Sequence, residues 1–291
     1  MKNEKIKVLD NGYVQYVDHM GKDLSIVRSA RVSYDGKGKS TDEGLINYLR
    51  KNKHNTPFES CAVTFEVKLP IFVTRQWNRH RTQSYNEISA RYTELPREFY
   101  VPYLDQITTQ SKDNKQMRTD DQNPNAKEIL NRVGANNVDC FDEYDELIEL
   151  GCPRELARSV LPVGTYTKMF ATANLHNWFN FLRERLHPHA QYEIRVYAEA
   201  ILEMLKELYP IATKSFMRHD LQILTVDDLV ELDKFKPDEW VKACKFIHDV
   251  WVQNQNEFDP KACFSNWIVT NKVENINTII IDSVWDFCTI L

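Results

Sequence analysis

The sequence predicts an α+β fold: a central mixed or antiparallel sheet packed with long helices, followed by a C-terminal extension. Three observations carry this expectation. From Cys61 to Leu69, apolar Cys61, Val63, Phe65, Val67 and Leu69 alternate with polar Thr64, Glu66 and Lys68, the period-two pattern of a half-buried strand. Leu175 to Leu186 and Gln191 to Leu208 carry the spacing of longer amphipathic helices. The chain has only eight glycines, and none form a Rossmann or P-loop fingerprint. Both of those cradles need glycine where the backbone approaches phosphate, so a doubly wound nucleotide-binding sheet is disfavoured.

The remaining elements follow in chain order. Ile6 to Asp18 alternates weakly, as an edge strand would, and Asp23 stands at an N-cap position for a helix running toward Tyr34. Ser40 with Glu43 three residues on matches a capping box ahead of the Leu45, Ile46, Leu49 face. Pro70 ends the Cys61–Leu69 strand and can open a helix at its first position. Leu104 to Ala126 is polar and nearly without apolar periodicity, so a mobile surface loop or insertion, about 105–125, is expected. Helical patterning resumes through Ile129, Phe141, Tyr144 and Ile148 and ends near Gly151. Pro153 can start a short helix, Arg154 to Leu161, which Pro162 stops, and Val163 to Thr172 reads as a second strand. After about Asp220 the character changes, with Trp240, Trp251, Trp267 and Trp285 crowded into a tail. The domain reading is therefore 1–219 for the catalytic part and 220–291 for an extension whose better reading is packing or an oligomer contact.

Composition narrows the function. Hydrophobic residues make up 42% and charged residues 27%, the profile of a folded globular protein. The formal net charge is -5, which argues against nucleic acid as a partner of the whole molecule. The start lacks an apolar leader core and no apolar run is long enough to span a bilayer, so no membrane and a cytoplasmic location are expected. Cys61, Cys140, Cys152, Cys244, Cys263 and Cys288 form no CxxC pair and read as free thiols.

Against this acidic background, Arg75 to Arg91 holds four arginines and one acid, Glu87, a local balance of +3. A solvated basic face is one reading of such a cluster. The interleaved Gln76, Asn78, Ser84, Asn86 and Ser89 favour another, an anion site with neutral donors and acceptors suited to a heterocycle and a sugar. A guanidinium is a rigid fork matching phosphate oxygens and stays charged at any working pH, so arginines can replace a glycine loop. A rival reading makes the cluster a single-strand nucleic-acid-binding module with Trp77 and Tyr85 as stacking platforms.

The cluster resembles the signature of the flavin-dependent thymidylate synthases, the ThyX family: Arg-His-Arg, seven residues, then Ser, as in Arg79-His80-Arg81 and Ser89. The resemblance continues in order through Ala30-Arg31-Val32-Ser33, His54-Asn55-Thr56-Pro57-Phe58-Glu59, Pro153 to Arg158, Asn180-Phe181-Leu182 and His189 to Ile194. It covers roughly residues 5 to 218. It implies reductive methylation of dUMP to dTMP, with 5,10-methylenetetrahydrofolate as carbon donor, FAD as cofactor and NADPH to recharge it. It further implies a homotetramer with active sites at subunit interfaces. A flavin-dependent pyrimidine nucleotide hydroxymethylase is the alternative within the same chemistry.

By the same resemblance, Gln76, Arg79, Glu87, Ser89, Ala90, Arg91, Arg158 and Arg185 would contact dUMP, with Arg185 catalytic in stabilising charge on the pyrimidine. Ser33, Thr56, Glu59, Arg79, His80, Arg81, Glu87, Asn174, His176, Asn180 and His189 would contact FAD, and His54 and Tyr92 could serve the folate step. Without the resemblance, Arg185 would read as a cation near a helix C-terminus. Three positions depart from the family pattern: Glu184 where an apolar residue is expected, His176 in place of an arginine, and Ala90 in place of a glycine. Ser89 reads as a binding hydroxyl, because no Ser-His-Asp arrangement is evident. No cysteine falls in a matching segment, which separates the chain from the cysteine-dependent thymidylate synthases. His187-Pro188-His189 lacks a third ligand at a telling spacing, and no metal is expected. Among Trp77, Tyr85 and Tyr92, aromatics at such spacing are more often core, and Tyr92 is the one to test.

Overall fold

The computed structural model describes residues 5–34, 40–112 and 114–221. Its centre is a five-stranded sheet in the order β1-β2-β3-β7-β4, antiparallel at every pairing. The strands are β1 (Lys5–Val8), β2 (Gly12–Met20), β3 (Ala62–Pro70), β4 (Ser84–Glu87) and β7 (Tyr166–Asn174). The predicted alternation holds in β3: Val63, Phe65, Val67 and Leu69 are buried, while Thr64, Glu66 and Lys68 are half-exposed. A small second sheet pairs β5 (Thr108–Gln110) with β6 (Arg118–Gln122).

The expected single edge strand from Ile6 to Asp18 is two strands. Leu9 turns the chain at φ 55, and Asp10 fixes the corner by accepting from Tyr166 Oη at 2.5 Å and from the Val101 amide at 3.0 Å. Only β1 lies at the edge, and β2 is interior beside β3. Gly12 opens β2 because a Cβ there would lie 2.2 Å from Tyr197 Oη, which donates to the Lys68 carbonyl.

Among the described residues there are eight α-helices, with further short turns: α1 (Asp23–Arg31), α2 (Asp42–Lys51), α3 (Ile71–Trp77), α4 (Ala126–Glu149), α5 (Arg154–Ala157), α6 (Leu175–Arg185), α7 (Tyr192–Leu208) and α8 (Pro210–Phe216). Two helix starts differ from expectation by one residue. Lys22 occupies the N-cap of α1 and Asp23 its first turn, where a carboxylate suits the positive end of the helix dipole. Thr41, not Ser40, caps α2, its hydroxyl accepting from the Gly44 amide at 3.1 Å. The helix after Pro153 is only α5, continued by a 3-10 turn over Arg158–Val160. The strand expected at Val163 to Thr172 is displaced to Tyr166–Asn174.

The core lies between β3, β7 and the helices α3, α6 and α7. Trp77, Trp178, Phe181 and Tyr197 are fully buried and meet at ring-centroid separations of 4.6 to 6.5 Å. Among the described residues no helix is long and apolar enough to cross a membrane. Cys61, Cys140 and Cys152 are free, and burial pushes the Cys61 thiol up to about 11, where it is inert. The other three cysteines and the four tryptophans of the tail lie outside the described residues.

The polar stretch expected as a mobile loop contains structure. β5 and β6 form a hairpin, Thr109 and Thr119 hydroxyls meet at 2.6 Å, and Ile107 is buried at its base. Arg118, on β6, reaches out of the hairpin to the buried carboxylate of Glu193 on α7.

Candidate active site

The arginine cluster sits on a turn between α3 and β4 that is staked from three sides. Trp77 fills the core and donates from Nε1 to Gln83 Oε1 at 3.0 Å. Tyr85 donates its hydroxyl to the carbonyls of His80 (2.8 Å) and Trp77 (3.2 Å). Both aromatics are thus structural, which corrects the stacking-platform reading, and burial pushes the Tyr85 phenol up to about 12. Pinned by these bonds, Arg79 and Arg81 project as exposed guanidinium groups with no ion pair among the described residues.

Arg185, at the last turn of α6, closes onto this turn from the other side of the sequence. Its Nε donates to His80 Nε2 at 2.9 Å and its Nη2 to the Gln76 carbonyl at 3.1 Å. A guanidinium has no acceptor, so His80 Nε2 must carry the lone pair and the ring proton must sit on Nδ1. Desolvation and the adjacent Arg185 charge hold the imidazole neutral, lowering its pKa to about 4. The His80 ring also packs edge-on against Phe181, 4.8 Å away. Two of the five Arg185 N–H groups are spent on this anchorage, leaving three for a ligand.

Other expected residues gather in separate corners. Ser89, Arg91 and Arg158 meet around Glu155: Arg91 Nε lies 3.7 Å from its carboxylate, Arg158 Nε donates to its carbonyl, and Ser89 Oγ accepts from the Arg91 amide. Tyr92 is 79% exposed beneath the Arg91 guanidinium, and Ala90 is buried behind it. Glu87, on the edge strand β4, accepts from Thr167 Oγ1 at 2.6 Å. No hydrogen bond or ion pair joins this corner to the Arg185–His80 pair among the described residues.

Thr56 and Glu59 are exposed on a 3-10 turn, Thr56–Ser60, that abuts α6 through Phe58 against Phe179 and through the Leu175 amide bonded to the Cys61 carbonyl. Asn174 caps α6, its side chain accepting from the Asn177 amide at 2.8 Å, so that oxygen is already engaged. His176 and Asn180, one turn apart, bond to each other at 3.1 Å. Ser33 lies exposed on the 3-10 turn after α1. His54 is exposed with its ring edge-on to Tyr48. His187 Nδ1 accepts from the His189 backbone amide at 3.1 Å in a local turn, and the two imidazole rings pack edge-on.

One group escaped the sequence reading. Gln76 Nε2 donates to Gln191 Oε1, Gln191 Nε2 donates to Glu193 Oε2 at 2.7 Å, and Glu193 also receives Arg118 and Tyr100 Oη. The signal available was Glu193 itself, a carboxylate on an otherwise apolar helix face, which demands a partner. That partner comes from the polar insertion, where no periodicity points to it.

The family model for the thymidylate synthase complementing protein matches residues 15–211. The flavin-dependent thymidylate synthase of Treponema denticola is 48% identical over 223 residues, covering 75% of this chain and 84% of that protein. That of Rickettsia prowazekii is 43% identical over 276 residues, covering 89% and 92%. A match of that span runs past residue 220 into the tail. Among solved structures, the UMP/dUMP methylase PolB from Streptomyces cacaoi bound with 5-Br UMP aligns at a TM-score of 0.68 and 35% identity, covering 74% of this chain and 98% of that one. With the family model matching residues 15–211 and relatives more than 40% identical over most of their length, the chain belongs to the family of flavin-dependent thymidylate synthases.

Proposed function

We propose that this chain methylates C5 of dUMP to give dTMP, taking the carbon from 5,10-methylenetetrahydrofolate with FAD as cofactor and NADPH as the reductant that recharges it. The observation that supports this reading best is the Arg185 guanidinium, pinned at two atoms beside the Arg-His-Arg turn in a chain of this family. A solved neighbour is described as a UMP/dUMP methylase, which favours a uracil nucleotide as substrate and makes UMP the comparison to run.

The residues present suit a flavin dinucleotide. Arg79 and Arg81 are exposed cations without ion-pair partners among the described residues, the donor set that a diphosphate requires. Thr56, Glu59, Asn180 and His189 would hold the rest of the cofactor, with Ser33, His80, Glu87, Asn174 and His176 as further contacts. When bound, the flavin supplies the hydride that reduces the transferred carbon to methyl.

The chain's own residues bind and polarise. Arg91, Arg158 and Ser89 would take the nucleotide phosphate, and Gln76, Arg79, Glu87 and Ala90 would border the nucleoside. Arg185 would stabilise negative charge developing on the pyrimidine ring, which is what makes C5 nucleophilic. Its bonds to His80 and Gln76 are made before substrate arrives, so little reorganisation accompanies the reaction. His54 and Tyr92 would face the folate step. The same reading makes the protein a homotetramer that completes its sites across subunit interfaces, working in the cytoplasm.

The test is direct. Purified full-length protein should be yellow and should form dTMP from dUMP, methylenetetrahydrofolate and NADPH, with mass analysis of the product nucleotide. A product heavier by a hydroxymethyl group would replace the methyl assignment, faster turnover of UMP would replace dUMP, and no nucleotide product would overturn the proposal.

A further inference from the structure

The polar insertion is wired into the candidate site. Arg118 on β6 donates from the single nitrogen Nη2 to both Glu193 oxygens, 2.7 Å from Oε1 and 2.6 Å from Oε2, and its Nη1 donates to the Gln106 carbonyl at 2.8 Å. Glu193 is 4% exposed, so its carboxylate is held by these bonds rather than by water. From Glu193 the chain of bonds runs through Gln191 to Gln76, and the Gln76 carbonyl receives Arg185.

The direction of these bonds matters. An ionised carboxylate only accepts, so Gln191 must present its Nε2 to Glu193 and its Oε1 to Gln76. Gln76 must then give its Nε2 to Gln191. The amide that could otherwise flip is locked, and its Oε1 is left as the acceptor offered to a ligand. A uracil nucleotide carries donors that need such an acceptor, the ring N3–H and the sugar hydroxyl.

We infer that Arg118 is a positioning residue for nucleotide binding: it holds in place the Glu193 carboxylate that, through Gln191, fixes the orientation of the Gln76 amide, so the insertion hairpin is a working part of the site. This inference rests on the uracil-nucleotide reading above. The hairpin also walls a cavity of about 320 Å³ with His189, Gln191, Tyr192 and Arg195, which places it against the segment that carries the relay.

The experiment measures dUMP affinity by calorimetry, dTMP formation and melting temperature on full-length protein. Arg118→Met should weaken dUMP binding about tenfold, the order of one lost directed hydrogen bond, and raise KM for dUMP more than it lowers kcat. Arg118→Lys should recover part of that loss. Because Arg118→Met strands a buried carboxylate, the double variant Arg118→Met with Glu193→Gln is the guard against misfolding: it removes both charges, and its neutral amide can no longer dictate the Gln191 orientation. Arg97→Met, which breaks ion pairs to Asp142 and Asp145 on α4, is the control that should move stability without moving dUMP affinity. Folded Arg118→Met and double variants that bind dUMP as tightly as wild type overturn the inference alone. Wild-type protein that binds no uracil nucleotide overturns the reading on which it rests.

Discussion

Arg185 Nε and His80 Nε2 lie 2.9 Å apart, with the guanidinium donating to an imidazole that burial and charge keep neutral. The pair converts a flexible side chain at the end of a helix into a fixed positive group, and several consequences can be measured.

Arg185→Ala should lower dTMP formation by about 100- to 1000-fold, the scale for removing one preorganised charge-stabilising donor. Flavin absorbance of the purified variant should persist, because the cations proposed for the diphosphate are elsewhere. Equal activity in the variant would remove the polarising role.

The histidine has a pH signature. Its folded pKa of about 4 lies below the unfolded value of 6.5, so between those limits the unfolded chain binds more protons. This group's contribution to stability is therefore complete above pH 6.5 and is lost as pH falls toward 4. Urea midpoints of wild type should drop across that window, and His80→Gln, which keeps an acceptor for Arg185 without a titrating ring, should show a shallower drop.

Tyr85→Phe removes the hydroxyl whose single proton is shared between the His80 and Trp77 carbonyls and stakes the arginine turn. A loss of about 1–2 kcal/mol is expected, seen as a melting point lower by a few degrees. Weaker flavin retention should accompany it, since the turn presents Arg79 and Arg81.

Gly12→Ala forces a methyl into the space of Tyr197 Oη. The cost should be about 1–3 kcal/mol, as for other overpacked interiors. Tyr197→Phe should recover only part of it, because the Val8 carbonyl would still stand 2.8 Å from the new carbon.

Tyr92→Ala should leave the melting point nearly unchanged, because the ring is exposed. A raised KM for methylenetetrahydrofolate at constant dUMP affinity would assign it to the folate step, and an unchanged KM would return it to the surface.

Much of the fold was legible because burial imposes periodicity. β3 alternates as read, and α6 and α7 begin and end within a residue or so of the stretches picked out for them. Boundaries set by one hydrogen bond were less legible. Ser40 and Thr41 both offer a hydroxyl, and only backbone geometry chooses Thr41. The β5–β6 hairpin buries so little that its strands carry no apolar period, and Arg118 has no local reason to pair with a residue 75 positions away. The arginine turn was visible as charge density, whereas the roles of Trp77 and Tyr85 depend on contacts made by a core that sequence alone does not display.

The Arg185–His80 contact joins residues 105 positions apart, on either side of β7. Closing so long a loop must await pairing of β7 with β3 and β4, a non-local step of the kind that slows folding. Catalytic competence is thereby tied to completion of the sheet. A nascent chain that has emerged only through β4 displays its arginines but has nothing to aim them with, and regain of turnover during refolding should follow the slowest tertiary phase rather than the appearance of helix.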